Sequence, residues 1–187
     1  MFQIREFNSK DIKKVKKFLD KYSGENYLNE SQLLNIVQYK SKTEHGSASF
    51  VVVNSNEEIL GIRITYVPKK WIEHKTKGIT PDKWDCSVEE VAKFHCLFLS
   101  EKIQGQGIGP KLSEKSINVL KKINCKGIIC HSWLESPNNS SQRYLKKFGF
   151  ESVNIHENFW NTLDYHCTGC NQKPCTCSAE EMIYYIK

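Results

Sequence analysis

Two stretches of this sequence combine residue types and spacings that can do chemistry. The first is Gln104-Gly105-Gln106-Gly107-Ile108-Gly109, which joins an apolar strand-like run, Phe94-His95-Cys96-Leu97-Phe98-Leu99, to a helix-like run starting at Pro110. A glycine-rich turn between strand and helix leaves backbone N–H groups unpaired at the positive end of the helix dipole, where they can hold a phosphate or pyrophosphate. The dinucleotide pattern G-x-G-x-x-G needs a third glycine where Pro110 stands, and the G-x-x-x-x-G-K-[ST] loop fails because Pro110 and Lys111 follow Gly109. Two common nucleotide loops are thereby excluded. The second stretch is Cys167-Thr168-Gly169-Cys170-Asn171-Gln172-Lys173-Pro174-Cys175-Thr176-Cys177, which holds half of the chain's 8 cysteines. A C-x-x-C knuckle followed by a tight C-x-C, with Gly169 and Pro174 shaping the turns, can converge four thiolates on one tetrahedral ion, for which zinc is the natural choice. Four thiolates close the coordination sphere, so the expected metal is structural, with His166 as an alternative ligand. Disulfides suit a reducing compartment poorly, and a redox-active C-x-x-C wants a thioredoxin-like strand-helix context that is missing. Cys86, Cys96, Cys125 and Cys130 are scattered and read as small buried hydrophobes.

The glycine turn resembles the [QR]-x-x-G-x-[GA] signature of the GNAT N-acetyltransferase superfamily, with Gln104, Gly107 and Gly109 in its fixed places. The segment from Asn138 to Phe150 is similar to the family's N-x-x-[AS]-x-x-φ-Y-x-K-φ-G-F, where φ is apolar, with Asn138, Ser141, Lys147, Phe148, Gly149 and Phe150 in register. The resemblance covers most of residues 2 to 156 plus a final strand. It implies a single α/β (α+β) domain over residues 1–187, built on a mixed, mostly antiparallel twisted sheet of about seven strands flanked by helices. The Cys-rich knuckle, residues 166–177, would sit between the last two strands, a connection that in the family lies beside the acceptor site.

The implied activity is transfer of acetyl from acetyl-coenzyme A to a primary amine by direct attack in a ternary complex. Gln104, Gly105, Gln106, Gly107, Ile108, Gly109 and Pro110 would take the pyrophosphate, the backbone at Leu97, Phe98 and Leu99 the pantetheine and acyl group, and Asn138 and Ser141 the coenzyme arm. The family's usual proton donor to the coenzyme thiolate is a tyrosine at the place of Leu145; Tyr144 stands one residue early, turned about 100° toward the expected packed face. It is the candidate acid, with water as the alternative donor. For the base, His95 shares strand parity with Leu97 and Leu99 and carries an imidazole whose ordinary pKa, about 6.5, suits proton acceptance near neutrality; a hydrogen-bonded core histidine is the competing reading. Glu89 and Glu90, at or before the start of the same strand, are alternatives acting through water, and His131 is a further one. The rival function is a non-catalytic acyl-CoA-binding or zinc-knuckle protein-interaction module on the same fold.

The elements that must position these groups follow from periodicity. Residues 2–5 alternate as a first strand; Asn8 or Ser9 can cap a helix carrying Ile12, Val15, Phe18 and Leu19, ended by Tyr22-Ser23-Gly24. A second helix starts near Asn29 or Ser31 with Leu33, Leu34, Val37 and Tyr39. Residues 49–53 and 59–67 read as strands joined by a polar turn, and residues 68–87 as a long basic connection whose Trp71 and Trp84 either pack on the body or face an acceptor. A strand over Val91 to Leu99, a helix from Pro110 to about Ile123, a strand at 127–130, a helix at 139–148, a strand at 150–155 and a last strand at 182–186 complete the reading.

The chain has 187 residues, 39% of them hydrophobic, enough for an ordinary core. No apolar run approaches the roughly 20 residues of a membrane helix, and the first residues lack a secretory pattern, so a cytoplasmic protein is expected. The formal charge of +6, from 27 Lys and Arg against 21 Asp and Glu, fits either steering of anionic partners such as coenzyme A or solvated basic faces. It mildly favours acidic acceptors and demands neither nucleic acid nor membrane. Acceptors from small amines to protein amines stay open, and the family resemblance implies a homodimer as a further assembly.

Overall fold

The computed structural model describes residues 2–72 and 78–187. Its strands are β1 (Phe2–Glu6), β2 (Phe50–Asn54), β3 (Ile59–Tyr66), β4 (Val91–Leu99), β5 (Gly127–Trp133), β6 (Glu151–His156) and β7 (Ala179–Tyr185), which form one sheet in the order β1-β2-β3-β4-β5-β7-β6. A two-residue hairpin, Lys42–Thr43 with Gly46–Ser47, stands apart from it. Neighbouring strands of the sheet run antiparallel except β4 and β5, which are parallel.

Helices cover both faces because successive strand residues point to opposite sides. Helix α1 (Ile12–Tyr22) and helix α2 (Glu30–Asn35), which continues as a wider turn over Ile36–Lys40, bury Val15, Leu19, Leu33 and Ile36 against Val51, Ile62, Ile64 and Ile129. Helix α3 (Ile108–Lys122) and helix α4 (Ser140–Phe148) bury Leu112, Leu120 and Leu145 against Val52, Phe94, Ile128 and Met182. The entry to α1 is fixed by Asn8, whose side chain accepts from the Lys10 amide while Asp11 accepts from the Asn8 amide; Asn29 and Gln32 do the same for α2. Leu34 and Tyr39 are exposed, so the inward face of α2 is Leu33 with Ile36.

The parallel pair is short. Register runs from Val91 opposite Gly127 to Phe94 opposite Cys130 and then stops, while β4 stays paired to β3 as far as Leu99 opposite Gly61, and β5 to β7 as far as Trp133 opposite Ala179. The carboxyl ends of β4 and β5 therefore splay, and the β4 backbone from His95 to Leu99 has one edge free of strand pairing. The splay follows a bulge: Ile64 faces Cys96 and Thr65 faces Phe94, which leaves His95 as the extra residue.

One difference from the sequence-based reading has a local cause, and one open choice is settled. Strand β7 begins at Ala179 rather than at 182 because Glu180 and Glu181 are buried and bonded, which breaks any hydrophobic alternation. The connection through residues 68–87 packs on the body: the Trp71 indole donates to the Val91 carbonyl at 2.7 Å and that of Trp84 to Glu181 at 2.9 Å. Residues 73–77 of that connection lie outside the described residues.

Candidate active site and metal centre

The glycine turn sits where the splay opens. Gly105 and Gly107 have φ of 74° and 71°, and a Cβ at either would meet open space, so both are glycine for their left-handed backbone. Gly107 caps α3, which places Ile108, Gly109 and Pro110 in the first turn, where amides lack helical acceptors and proline forfeits nothing. Gln104 is exposed and ties the turn back to β4 by donating to the Leu99 carbonyl at 2.8 Å; Gln106 donates to the Lys102 carbonyl at 2.9 Å. Gly109 is buried against the Leu97 and Tyr144 side chains, each 3.4 Å from where a Cβ would stand, so the turn, the splayed end of β4 and helix α4 meet at this residue. Asn138 and Asn139, both with positive φ, form the turn before α4; Asn138 is exposed, and the Ser141 hydroxyl accepts from that of Ser132 on β5 at 3.1 Å.

Tyr144 packs against the core, as the one-residue offset implied. Leu145 fills the core, and Tyr144 lies half-buried over α3, its hydroxyl 2.7 Å from Ser113 Oγ. Ser113 in turn accepts from Arg63 Nη2 at 2.8 Å; this arginine is fully buried with its guanidinium 4.1 Å from the Phe94 ring. The crevice between α3 and α4, lined by Pro110, Tyr144, Lys147 and Tyr184 among others, opens beside this chain of bonds.

The bulge also corrects the parity assigned to His95. His95 and Cys96 fall on the same face, so His95 lies opposite Leu97 and Leu99, on the α1 and α2 side, stacked on Tyr66 at 4.8 Å and 3.4 Å from the Tyr27 hydroxyl. Burial, aided by Lys93 and Lys40, holds its pKa down at about 3. His131 stands on the facing strand, its Nε2 donating to the Gly78 carbonyl and its ring stacked on Phe159 at 4.2 Å; burial first and Lys93 next lower its pKa to about 3. Glu90 is exposed at the opposite end of β4, about 17 Å from His95 at the rise of an extended strand, and its carboxylate caps Ser87 by accepting from the amide at 3.2 Å and the hydroxyl at 2.9 Å. It takes no part in the arrangement at the splay, and Glu89 is exposed beside it.

The four cysteines converge between β6 and β7. Cys167, Cys170, Cys175 and Cys177 present sulfurs all within 4.8 Å of one another, with Cys167 to Cys177 at 3.9 Å and Cys170 to Cys175 at 3.8 Å. Tetrahedral zinc with Zn–S bonds of about 2.3 Å sets its sulfurs roughly 3.8 Å apart, whereas a disulfide needs about 2.05 Å, so the donor set fits the metal. Backbone amides of Gly169 and Cys177 donate to the sulfurs of Cys167 and Cys175 at 3.4 and 3.5 Å. Tyr165 and Trp133 pack against the cysteines, and the Trp133 indole N–H is buried without a hydrogen-bond partner among the described residues. His166 is exposed and engaged with Asn171 at 2.8 Å, outside the sulfur set. The knuckle is docked by two close approaches: a Cβ on Gly169 would lie 2.0 Å from the Trp133 ring and one on Gly24 2.0 Å from the His166 carbonyl oxygen.

Comparison with known proteins agrees with this architecture. No curated protein sequence matches the chain. Among solved structures it is similar to Arabidopsis thaliana NAA60 in complex with acetyl-CoA, at 16% identity and TM-score 0.69 over 100% of this chain and 99% of that one. It is similar also to a GNAT-family acetyltransferase from Streptococcus pneumoniae, at 13% identity and TM-score 0.67 over 100% of each chain. A third likeness is to the ribosomal-protein-S18-alanine N-acetyltransferase from Escherichia coli, at 16% identity and TM-score 0.64 over 100% and 95%. The model of the acetyltransferase (GNAT) family matches residues 13–150, about three quarters of the sequence, and the chain belongs to that family.

Proposed function

We propose that the protein transfers acetyl from acetyl-coenzyme A to a primary amine by direct attack in a ternary complex. The observation that carries this is the splay of β4 from β5 beside the Gly105 to Gly109 turn. The β4 backbone at Leu97, Phe98 and Leu99, where the Leu99 carbonyl already accepts from Gln104, would use its remaining unpaired groups to bond the pantetheine and hold the acyl carbonyl, while the amides opening α3 would hold the pyrophosphate. Asn138 and Ser141 would flank the coenzyme arm. The amine nitrogen attacks the thioester carbon and the C–S bond breaks; the surplus amine proton passes to His95, and the departing thiolate takes a proton from Tyr144. The bulge turns His95 to the face away from Leu97 and Leu99, next to Tyr27; its pKa of about 3 keeps it neutral and makes it a weak acceptor, so it passes the amine proton on to water rather than keeping it. Tyr144 suits the acid role because its ring edge lies against Gly109 in the cofactor turn, with its hydroxyl held by Ser113. One Zn2+ on Cys167, Cys170, Cys175 and Cys177 would fix the knuckle and enter no step.

The test is titration with acetyl-coenzyme A, followed by assay of acetylated product, for wild type and Gly107→Val. The wild type binds and turns over, and the variant loses affinity at least tenfold, roughly, with kcat much less affected. Undiminished affinity in a folded Gly107→Val variant would remove the turn from the site.

A further inference from the structure

Beyond the open ends of β4 and β5 lies a pocket whose walls are rings: Tyr22, Tyr27, Phe98, Trp133, Trp160 and Tyr165. Three elements far apart in sequence supply them, namely the end of α1 with its following loop, the tips of the two splayed strands, and the connection that carries the metal knuckle. The knuckle completes the wall with Cys167, Thr168 and Cys177. It is also anchored to both flanks, through Thr168 Oγ1 donating to the Tyr22 carbonyl at 3.3 Å and through Gly169 against Trp133. Among the described residues, no carboxylate, lysine or arginine lines the pocket; Glu101 touches it from outside, accepting from the Tyr22 hydroxyl at 2.8 Å. Its inner end meets the proposed base, since Tyr27, a lining residue, stacks on His95 at 5.7 Å between ring centroids.

We infer that this aromatic box receives an uncharged apolar or aromatic group carried next to the acceptor's primary amine, and so selects hydrophobic amines. The inference rests on the transferase reading and names its substrate class. An anionic group entering the box would be desolvated beside the knuckle's thiolates with no counter-charge, whereas a flat or branched apolar group exchanges water for ring faces. The cationic character of the chain as a whole, which favours acidic acceptors at long range, does not extend to this lining.

The experiment pairs acceptors that differ in one group, in two series: short peptides beginning with Phe or Leu against Asp or Lys, and phenethylamine against ethanolamine. Each is assayed for kcat/KM and, separately, for equilibrium binding through quenching of tryptophan fluorescence in the presence of coenzyme A. The apolar member of at least one series is expected to be favoured by about tenfold or more; the series in which this appears identifies the source. Trp160→Ala, a substitution of a half-exposed side chain, should narrow that preference by raising KM for the apolar amine while leaving acetyl-coenzyme A affinity unchanged. Turnover with equal or better use of polar and charged members in both series overturns the inference and leaves the transferase reading intact. Binding of apolar amines with no turnover of any acceptor leaves the pocket intact and overturns the transferase reading.

Discussion

At the residue scale the proposed transfer turns on His95 and Tyr144. Replacing His95 by Ala should lower kcat about 10²- to 10⁴-fold with acetyl-coenzyme A affinity retained, which steady-state kinetics and titration read separately. The two depressed imidazoles also predict a stability profile. With folded pKa values of about 3 against an unfolded value of about 6.5, the unfolded chain binds more protons in between, so stability is complete above 6.5 and falls as pH drops toward 3. The slope is on the order of 1 kcal/mol per pH unit for each imidazole, and urea midpoints at pH 7 and pH 5 measure it. His95 was legible in the sequence as a candidate, but its orientation was not: a bulge is set by the pairing of β3 with β4, and strict alternation assigns the ring to the wrong face. Arg63 was invisible for a related reason, because a charged residue within an apolar strand gives no sign that Ser113 and Phe94 will receive it. Glu90 looked usable only while distance along the strand was ignored.

At the element scale, turn chemistry was the most readable feature. The glycines before α3, the asparagines before α4 and the C-x-x-C with C-x-C spacing are local constraints, and short-range geometry decides them. The splay was not readable, since nothing in β4 or β5 alone records where parallel pairing stops. Gly107→Ala should cost roughly 1 kcal/mol, because its φ of 71° disfavours a side chain even in open space. Gly169→Ala should disturb more, by about 1–3 kcal/mol, because its Cβ would collide with the Trp133 ring and lift the knuckle off the pocket wall. Metal analysis of the purified protein should find about one zinc per chain, and chelation should lower stability by about 3 kcal/mol or more, a fall in Tm of roughly 6–12 °C. Unchanged melting after complete metal removal would contradict a structural ion at the four cysteines.

For the molecule as a whole, the order of strands and helices followed from periodicity together with two family-like motifs, because a mostly antiparallel sheet couples near neighbours in sequence. What sequence could not supply was the convergence of distant segments: the end of α1, the tips of β4 and β5, and the knuckle meet only in the folded chain. Among the described residues, no helix is long and apolar enough to cross a membrane. In the proposed reaction, cofactor and acceptor approach the splay from opposite faces of the sheet, and one opening must join the two. A mass-balance assay checks this at once, with free coenzyme A thiol and acetylated amine quantified together across the acceptor panel. The two products should appear in one-to-one ratio, strictly dependent on added amine. Tight acetyl-coenzyme A binding without amine-dependent thiol release would contradict the transfer.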